Sequence, residues 1–167
     1  MKIKAAVVDK VNDPFVIKDD IELAPMQPDD ILVHMVASGI CHSDEALRRG
    51  DAAFTFPVIL GHEGSGIIEK VGPEVKGFEP GDHVVLSFYA DGTCDNCLKG
   101  KPTQCRDYAK YNLSGTRCDG SDHFTEDGHH VSDMFNQSSF TTATVVKARN
   151  CVKVPKELDL RRLGPLG

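Results

Sequence analysis

The chain has 167 residues, enough for one domain to bury most of the surface that its unfolded form exposes, so neither a disulfide nor a metal is obligatory for folding. It carries 25 acidic against 19 basic residues for a net charge of −6, with no Lys/Arg stripe, which argues against a nucleic-acid partner. The opening MKIKAAVVDK lacks a long apolar segment and no run approaches bilayer length, so no membrane partner and a cytoplasmic location are expected. There the six cysteines stay thiols, free for metal or chemistry.

In chain order, short β-branched and apolar segments recur between turn residues: IKAAVVD, PFVIKDDIEL, DILVHMVASGI, GSGIIEKVG, DHVVLSFY and TTATVVKARNCVKV. Turns such as Asn12-Asp13-Pro14 and Pro80-Gly81-Asp82 separate them, so the chain reads as mainly short strands with few helices. SDEALRRG is the best helix candidate, with Ser43 as cap, Asp44 and Glu45 in the first turn and Gly50 past the end. Residues 110–139 are polar around DGSDHFTEDGHH and read as a surface excursion outside the core. The final KELDLRRLGPLG reads as the start of an acid-capped helix, and its abrupt stop suggests a cut chain.

Cys94-x-x-Cys97 and Cys105 put three thiols in a loop turned by Gly92, Gly100 and Pro102. Structural zinc takes four ligands in a tetrahedron, and Asp91, three residues before Cys94, is the candidate fourth, with Cys118 as rival. A closed set of protein ligands leaves no position for substrate, so this site reads as structural. A local disulfide or unpaired thiols are the alternatives.

A second constellation lies in GICHSDEA, which places Cys41 and Ser43 just after a candidate strand, and in GHEGSGIIEKVGPEV, which places His62 and Glu63 at the mouth of another. Cysteine, histidine and carboxylate together suit zinc, and a catalytic site keeps one position open. Taken singly, Cys41 also reads as a small core residue and His62 as a turn histidine.

Gly61-His62-Glu63-x-x-Gly66-x5-Gly72-x-x-Val75 resembles the zinc-site motif of the zinc-dependent medium-chain alcohol dehydrogenases. Cys41-His42-Ser43-Asp44 and the lobe spacing x2, x2, x7 over 91, 94, 97 and 105 resemble further motifs of that family. HVVLSFYADGTCDNCLKGKPTQC, FNQSSFTTATVV and LGPLG look most like its aryl-alcohol (benzyl alcohol) dehydrogenase branch.

The resemblance implies that residues 1–167 are a GroES-like catalytic domain, a partly open β-barrel with a structural zinc lobe at about 89–108. It implies catalytic-zinc ligands at Cys41 and His62, a neighbouring carboxylate at Glu63, an orienting acid at Asp44 and a proton-relaying hydroxyl at Ser43. His42 falls where the family places a residue near the cofactor pyrophosphate. Zinc is thus the implied metal, and the implied reaction turns primary, aryl alcohols into aldehydes with NAD(P). A homo-oligomer formed through an exposed sheet edge is a further expectation.

The chain departs from the family in having Asp91 for a usual cysteine and Ala46 for a relay histidine. The family's third catalytic ligand and its nucleotide-binding Rossmann domain follow a segment like LGPLG, and no G-x-G-x-x-G occurs in these residues. The lobe is therefore expected to keep its zinc, the catalytic zinc to be loosely held, and the isolated chain to be inactive. A free-standing zinc-binding module with a scaffolding role is the competing reading.

Overall fold

The computed structural model describes residues 1–167. Ten strands build the domain: β1 (Lys2–Val8), β2 (Val16–Leu23), β3 (Asp30–Ser38), β4 (Val58–Ile59), β5 (Gly64–Val71), β6 (His83–Leu86), β7 (Phe124–Glu126), β8 (His129–Val131), β9 (Ala143–Lys147) and β10 (Cys151–Val154). They form two five-stranded sheets, ordered β4-β1-β2-β7-β8 and β10-β6-β5-β3-β9. The segment before β9 stitches them together: Ala6 N donates to Phe140 O, Thr142 N to Lys4 O and Met35 N to Thr142 O. The result is mainly β, as the strand pattern implies, and has the partly open barrel form that the family resemblance implies.

Alternation explains why these segments are strands. In β1, Ile3, Ala5 and Val7 point inward and meet Ile21 and Leu23 of β2, burying the apolar face while Lys2 and Lys4 stay in water. A second cluster, with Ile31, Val33, Ile68, Val84 and Leu86, fills the other sheet. TTATVVKARNCVKV divides into β9 and β10 at a short 3-10 turn, Ala148–Asn150.

Helix α1 (His42–Arg49) begins two residues earlier than the sequence suggests: Cys41, not Ser43, is the N-cap, and Gly50 ends it at φ 80°. α2 (Asp95–Leu98) and α3 (Tyr108–Asn112) are single turns in and after the lobe. The C-terminal segment differs from the expected helix, forming 3-10 turns at Leu160–Arg162 and Gly164–Leu166, with Asp159 accepting from Arg161 N at 3.2 Å.

The polar stretch 110–139 also corrects the sequence reading. It holds the β7–β8 hairpin, turned by Asp127 and Gly128 at φ 50° and 79°, and it buries Phe124, Val131 and Met134 in the core. Part of its polarity is internal, since Arg117 pairs with buried Asp30 and His123 Nδ1 lies 2.5 Å from Asp133 Oδ2, while Asp119, Ser121, Asp122 and His129 stay exposed. No helix of the structure is long and apolar enough to cross a membrane.

Candidate functional site

Cys41, His62 and Glu63 come from different strand ends yet place a thiol, an imidazole nitrogen and a carboxylate oxygen within 4.8 Å of one another. Cys41 leaves β3 as the cap of α1, and His62 sits between β4 and β5. Gly61 makes that approach possible, because at φ 93° a side chain would run into Ser139 and Phe140.

Asp44, fully buried, ties the two segments together. Its Oδ2 accepts from Cys41 N at 3.0 Å, and its Oδ1 accepts from Gly61 N at 2.9 Å and faces His62 Nδ1 at 3.2 Å. That contact assigns the proton to Nδ1 and leaves Nε2 as the donor atom, 3.3 Å from Ser43 Oγ. Without a metal, hydrogen bonds from Ser43 and, more weakly, His62 lower the Cys41 thiol pKa. Burial opposes protonation of His62, but Asp44 and Cys41 outweigh it and hold the imidazole pKa above its usual value.

Ser43 and His42 are both exposed at the start of α1; Ser43 faces His62, whereas His42 joins neither donor cluster. Beside Ser43 and His62 opens a cavity of about 190 Å³ whose wall includes Phe88, Tyr108, Phe135 and Gln137. Phe135 packs its ring edge-on to His62 at 5.1 Å. None of these four wall residues stands out in the sequence, because they converge only through the loop before β9. Asn136, tolerant of left-handed backbone, is the one local sign of the turn there.

In the lobe, Asp91, Cys94, Cys97 and Cys105 likewise bring their donor atoms within 4.8 Å of one another, while Cys118 lies outside this group. Asp91 Oδ1 accepts from Thr93 N at 2.5 Å and Cys94 N at 2.7 Å, and Oδ2 accepts from the Cys105 thiol at 3.1 Å. Those bonds hold the Asp91 carboxyl well below the usual carboxylate range, the Cys105 contact contributing most. Burial pushes the Cys97 thiol up to about 11. A tetrahedral zinc with bonds of about 2.3 Å to sulfur sets its ligands roughly 3.8 Å apart, so both donor sets fit that ion in spacing and in chemistry.

The chain matches the family model for the alcohol dehydrogenase GroES-like domain over residues 27–156. It is 40% identical over 166 residues to a geraniol dehydrogenase of Castellaniella defragrans, covering 98% of this chain and 44% of that relative. Benzyl alcohol dehydrogenase from Acinetobacter calcoaceticus superposes with a TM-score of 0.93 at 39% identity, over 100% of this chain and 45% of that one. An alcohol dehydrogenase zinc-binding domain protein from Burkholderia ambifaria gives 0.95 at 38% identity, again over 100% and 45%. The chain therefore belongs to the alcohol dehydrogenase family and has its GroES-like fold. It spans under half the length of these relatives.

Proposed function

We propose that this chain is the catalytic domain of a zinc-dependent alcohol dehydrogenase that oxidises primary, aryl alcohols to aldehydes with NAD(P). The observation that carries this reading is the Cys41, His62 and Glu63 donor set beside a cavity walled by aromatic rings. The benzyl alcohol dehydrogenase fold match supports the aryl choice.

Cys41 and His62 would hold the catalytic metal with Glu63 adjacent, and Asp91, Cys94, Cys97 and Cys105 the structural one. Zinc at the first site supplies Lewis acidity that makes an alcohol proton easier to remove. Asp44 fixes the His62 ring and tautomer, so that Nε2 stays directed to the site. Ser43 Oγ, exposed and beside His62, would accept the alcohol proton and pass it to water, and a nicotinamide, when bound, would supply the hydride acceptor. Phe135 covers one side of His62 and excludes water there.

The nicotinamide would be bound largely by the part of the relatives that lies outside this chain, with His42 near its pyrophosphate. The 167 residues alone would then be inactive. A cytoplasmic location and a homo-oligomeric assembly go with this reading.

The test is to recover the native polypeptide from cells, measure its mass and assay it with benzyl alcohol and NAD(P). A mass more than twice 18.2 kDa, with chelator-sensitive turnover, is expected. A native polypeptide of 18.2 kDa, or a longer one that oxidises no primary alcohol, overturns the reading.

A further inference from the structure

Asp-Gly occurs three times in this chain, at 91–92, 119–120 and 127–128. The pair is prone to a reaction of the backbone with itself, because glycine carries no side chain to keep its amide nitrogen away from the preceding carboxyl carbon. Whether the reaction runs depends on how free the carboxyl and that nitrogen are.

The fold treats the three pairs differently. Asp91 Oδ1 accepts from Thr93 N and Cys94 N and its Oδ2 from the Cys105 thiol, and the Arg149 guanidinium lies where a Gly92 side chain would stand. Asp119 Oδ1 accepts from Ser121 N at 3.0 Å and Ser121 Oγ at 2.6 Å, its Oδ2 accepts from Gln27 Nε2 at 2.5 Å, and Gly120 N donates to Arg117 O at 2.8 Å. At 127–128 neither group is tied: the Asp127 carboxylate has no hydrogen bond or ion pair, and Gly128 N donates to no acceptor in the protein. Both residues are exposed at the tip of the β7–β8 hairpin, and the space beside Gly128 is empty to 4 Å. Exposed turns of this kind open locally at little cost.

The chemistry needs only water. Gly128 N attacks Asp127 Cγ; the new C–N bond closes a succinimide, and the Cγ–O bond breaks with its oxygen leaving as water, which carries off the amide proton. Water then opens the ring. Addition at Cγ restores aspartate, whereas addition at the main-chain carbonyl leaves the chain running through the side-chain carboxyl and frees the α-carboxylate, which is isoaspartate.

We propose that Asp127 is a modification site, converting to isoaspartate in the folded protein and thereby becoming a substrate for a methyltransferase that esterifies isoaspartyl carboxylates. In that second step the freed carboxylate oxygen attacks the methyl of a sulfonium donor, whose S–C bond breaks. The change matters to the barrel because it adds a backbone carbon to the two-residue turn that sets Glu126 opposite His129. Strand β8 runs on into Ser132, which closes the first sheet on itself: Ser132 N donates to Pro57 O and Ile59 N to Ser132 O, both at 2.9 Å. Isoaspartate at 127 loosens that seam.

The zinc-loaded native polypeptide is aged at neutral pH in heavy-oxygen water and digested, and isoaspartate is located by peptide separation and by methyl transfer from labelled S-adenosylmethionine. The Asp127 peptide should gain isoaspartate and solvent oxygen at least about tenfold faster than the Asp91 and Asp119 peptides, whose carboxyls must break two or more hydrogen bonds before they can turn. In concentrated urea the three rates should converge. No isoaspartate at 127 in the folded protein, or a ranking that urea leaves unchanged, overturns the proposal. Asp127→Asn keeps the turn and closes the same ring with ammonia as the leaving group, so it should form isoaspartate faster; if it forms none, the turn holds the two atoms apart and the proposal fails. The purified isoaspartyl form should lose amide-exchange protection at Ile59 and Ser132, and unchanged protection there overturns the link to the seam.

Discussion

Asp44 Oδ1 lies 3.2 Å from His62 Nδ1 and accepts the Gly61 amide at 2.9 Å, so one buried carboxylate sets both the ring and the backbone that carries it. Its other oxygen takes the Cys41 amide. The two residues proposed as metal ligands are thus held from behind by the same side chain, which makes their spacing a property of the barrel itself.

Asp44→Asn tests this coupling. The amide keeps the shape but turns an N–H group toward one of three N–H donors, so about 1–3 kcal/mol of stability should be lost. Zinc affinity at the Cys41–His62 site should fall roughly 10–100-fold, as when the hydrogen-bond partner of a ligating histidine is removed. Competition with a metallochromic chelator measures it; unchanged zinc retention would refute the orienting role.

Asp91 gives a second prediction, in the lobe. Asp91→Ala removes both a candidate ligand and the acceptor for Thr93 N and Cys94 N, and should accelerate zinc loss to chelator by at least about tenfold. Asp91→Cys restores a fourth donor and should hold zinc at least as well as the wild type. If Asp91→Ala keeps wild-type zinc, the fourth ligand lies elsewhere.

Much of this arrangement is legible in the sequence, for local reasons. Alternation in IKAAVVD and DILVHMVAS predicts the strands because the pleat itself has period two. Cys-x-x-Cys places two thiols on one tight turn, so the lobe cluster needs little long-range information. The β7–β8 hairpin is missed because its three-residue strands are largely polar, although Asp127-Gly128 is a strong hairpin turn signal. The cavity is missed for a different reason: Tyr108 and Gln137 meet only after the chain has closed a barrel, and no short-range pattern encodes that meeting. Ser43 looks like the helix cap because its hydroxyl suits one, yet Cys41 takes that place and Asp44 supplies the reciprocal acceptor.

Gly39 separates metal geometry from folding. A Cβ there would fall on Glu63 Oε2, while Gly39 N donates to Glu63 O at 2.9 Å. Gly39→Ala should therefore swing the Glu63 carboxylate away from Cys41 and His62, with a stability loss of about 1–2 kcal/mol. Glu63→Gln, which leaves Gly39 alone, should change zinc retention in the same direction with less effect on melting. Opposite directions for the two variants would mean that Glu63 does not approach the metal.

Lys147 lies at the junction of the barrel and the long insert, and its response to pH follows from its partners. Its ammonium bridges Asp29 at 2.5 Å and buried Asp30 at 2.8 Å, and Asp30 also pairs with buried Arg117. Burial lowers the Lys147 pKa, but the two carboxylates more than offset this and raise it above 10.5. A group raised on folding contributes its stability fully below the unfolded pKa and loses it as pH climbs through the folded one, so this contribution is intact at neutral pH and disappears above about pH 10.5. Lys147→Met should cost about 1.5–3 kcal/mol at pH 7, less than complete removal of an ion pair because Arg117 still neutralises Asp30. The gap between wild type and variant in urea midpoint should narrow between about pH 10 and 12. A gap that stays constant through that range would show that the Lys147 charge does not hold the insert, and that only its hydrocarbon stem matters there.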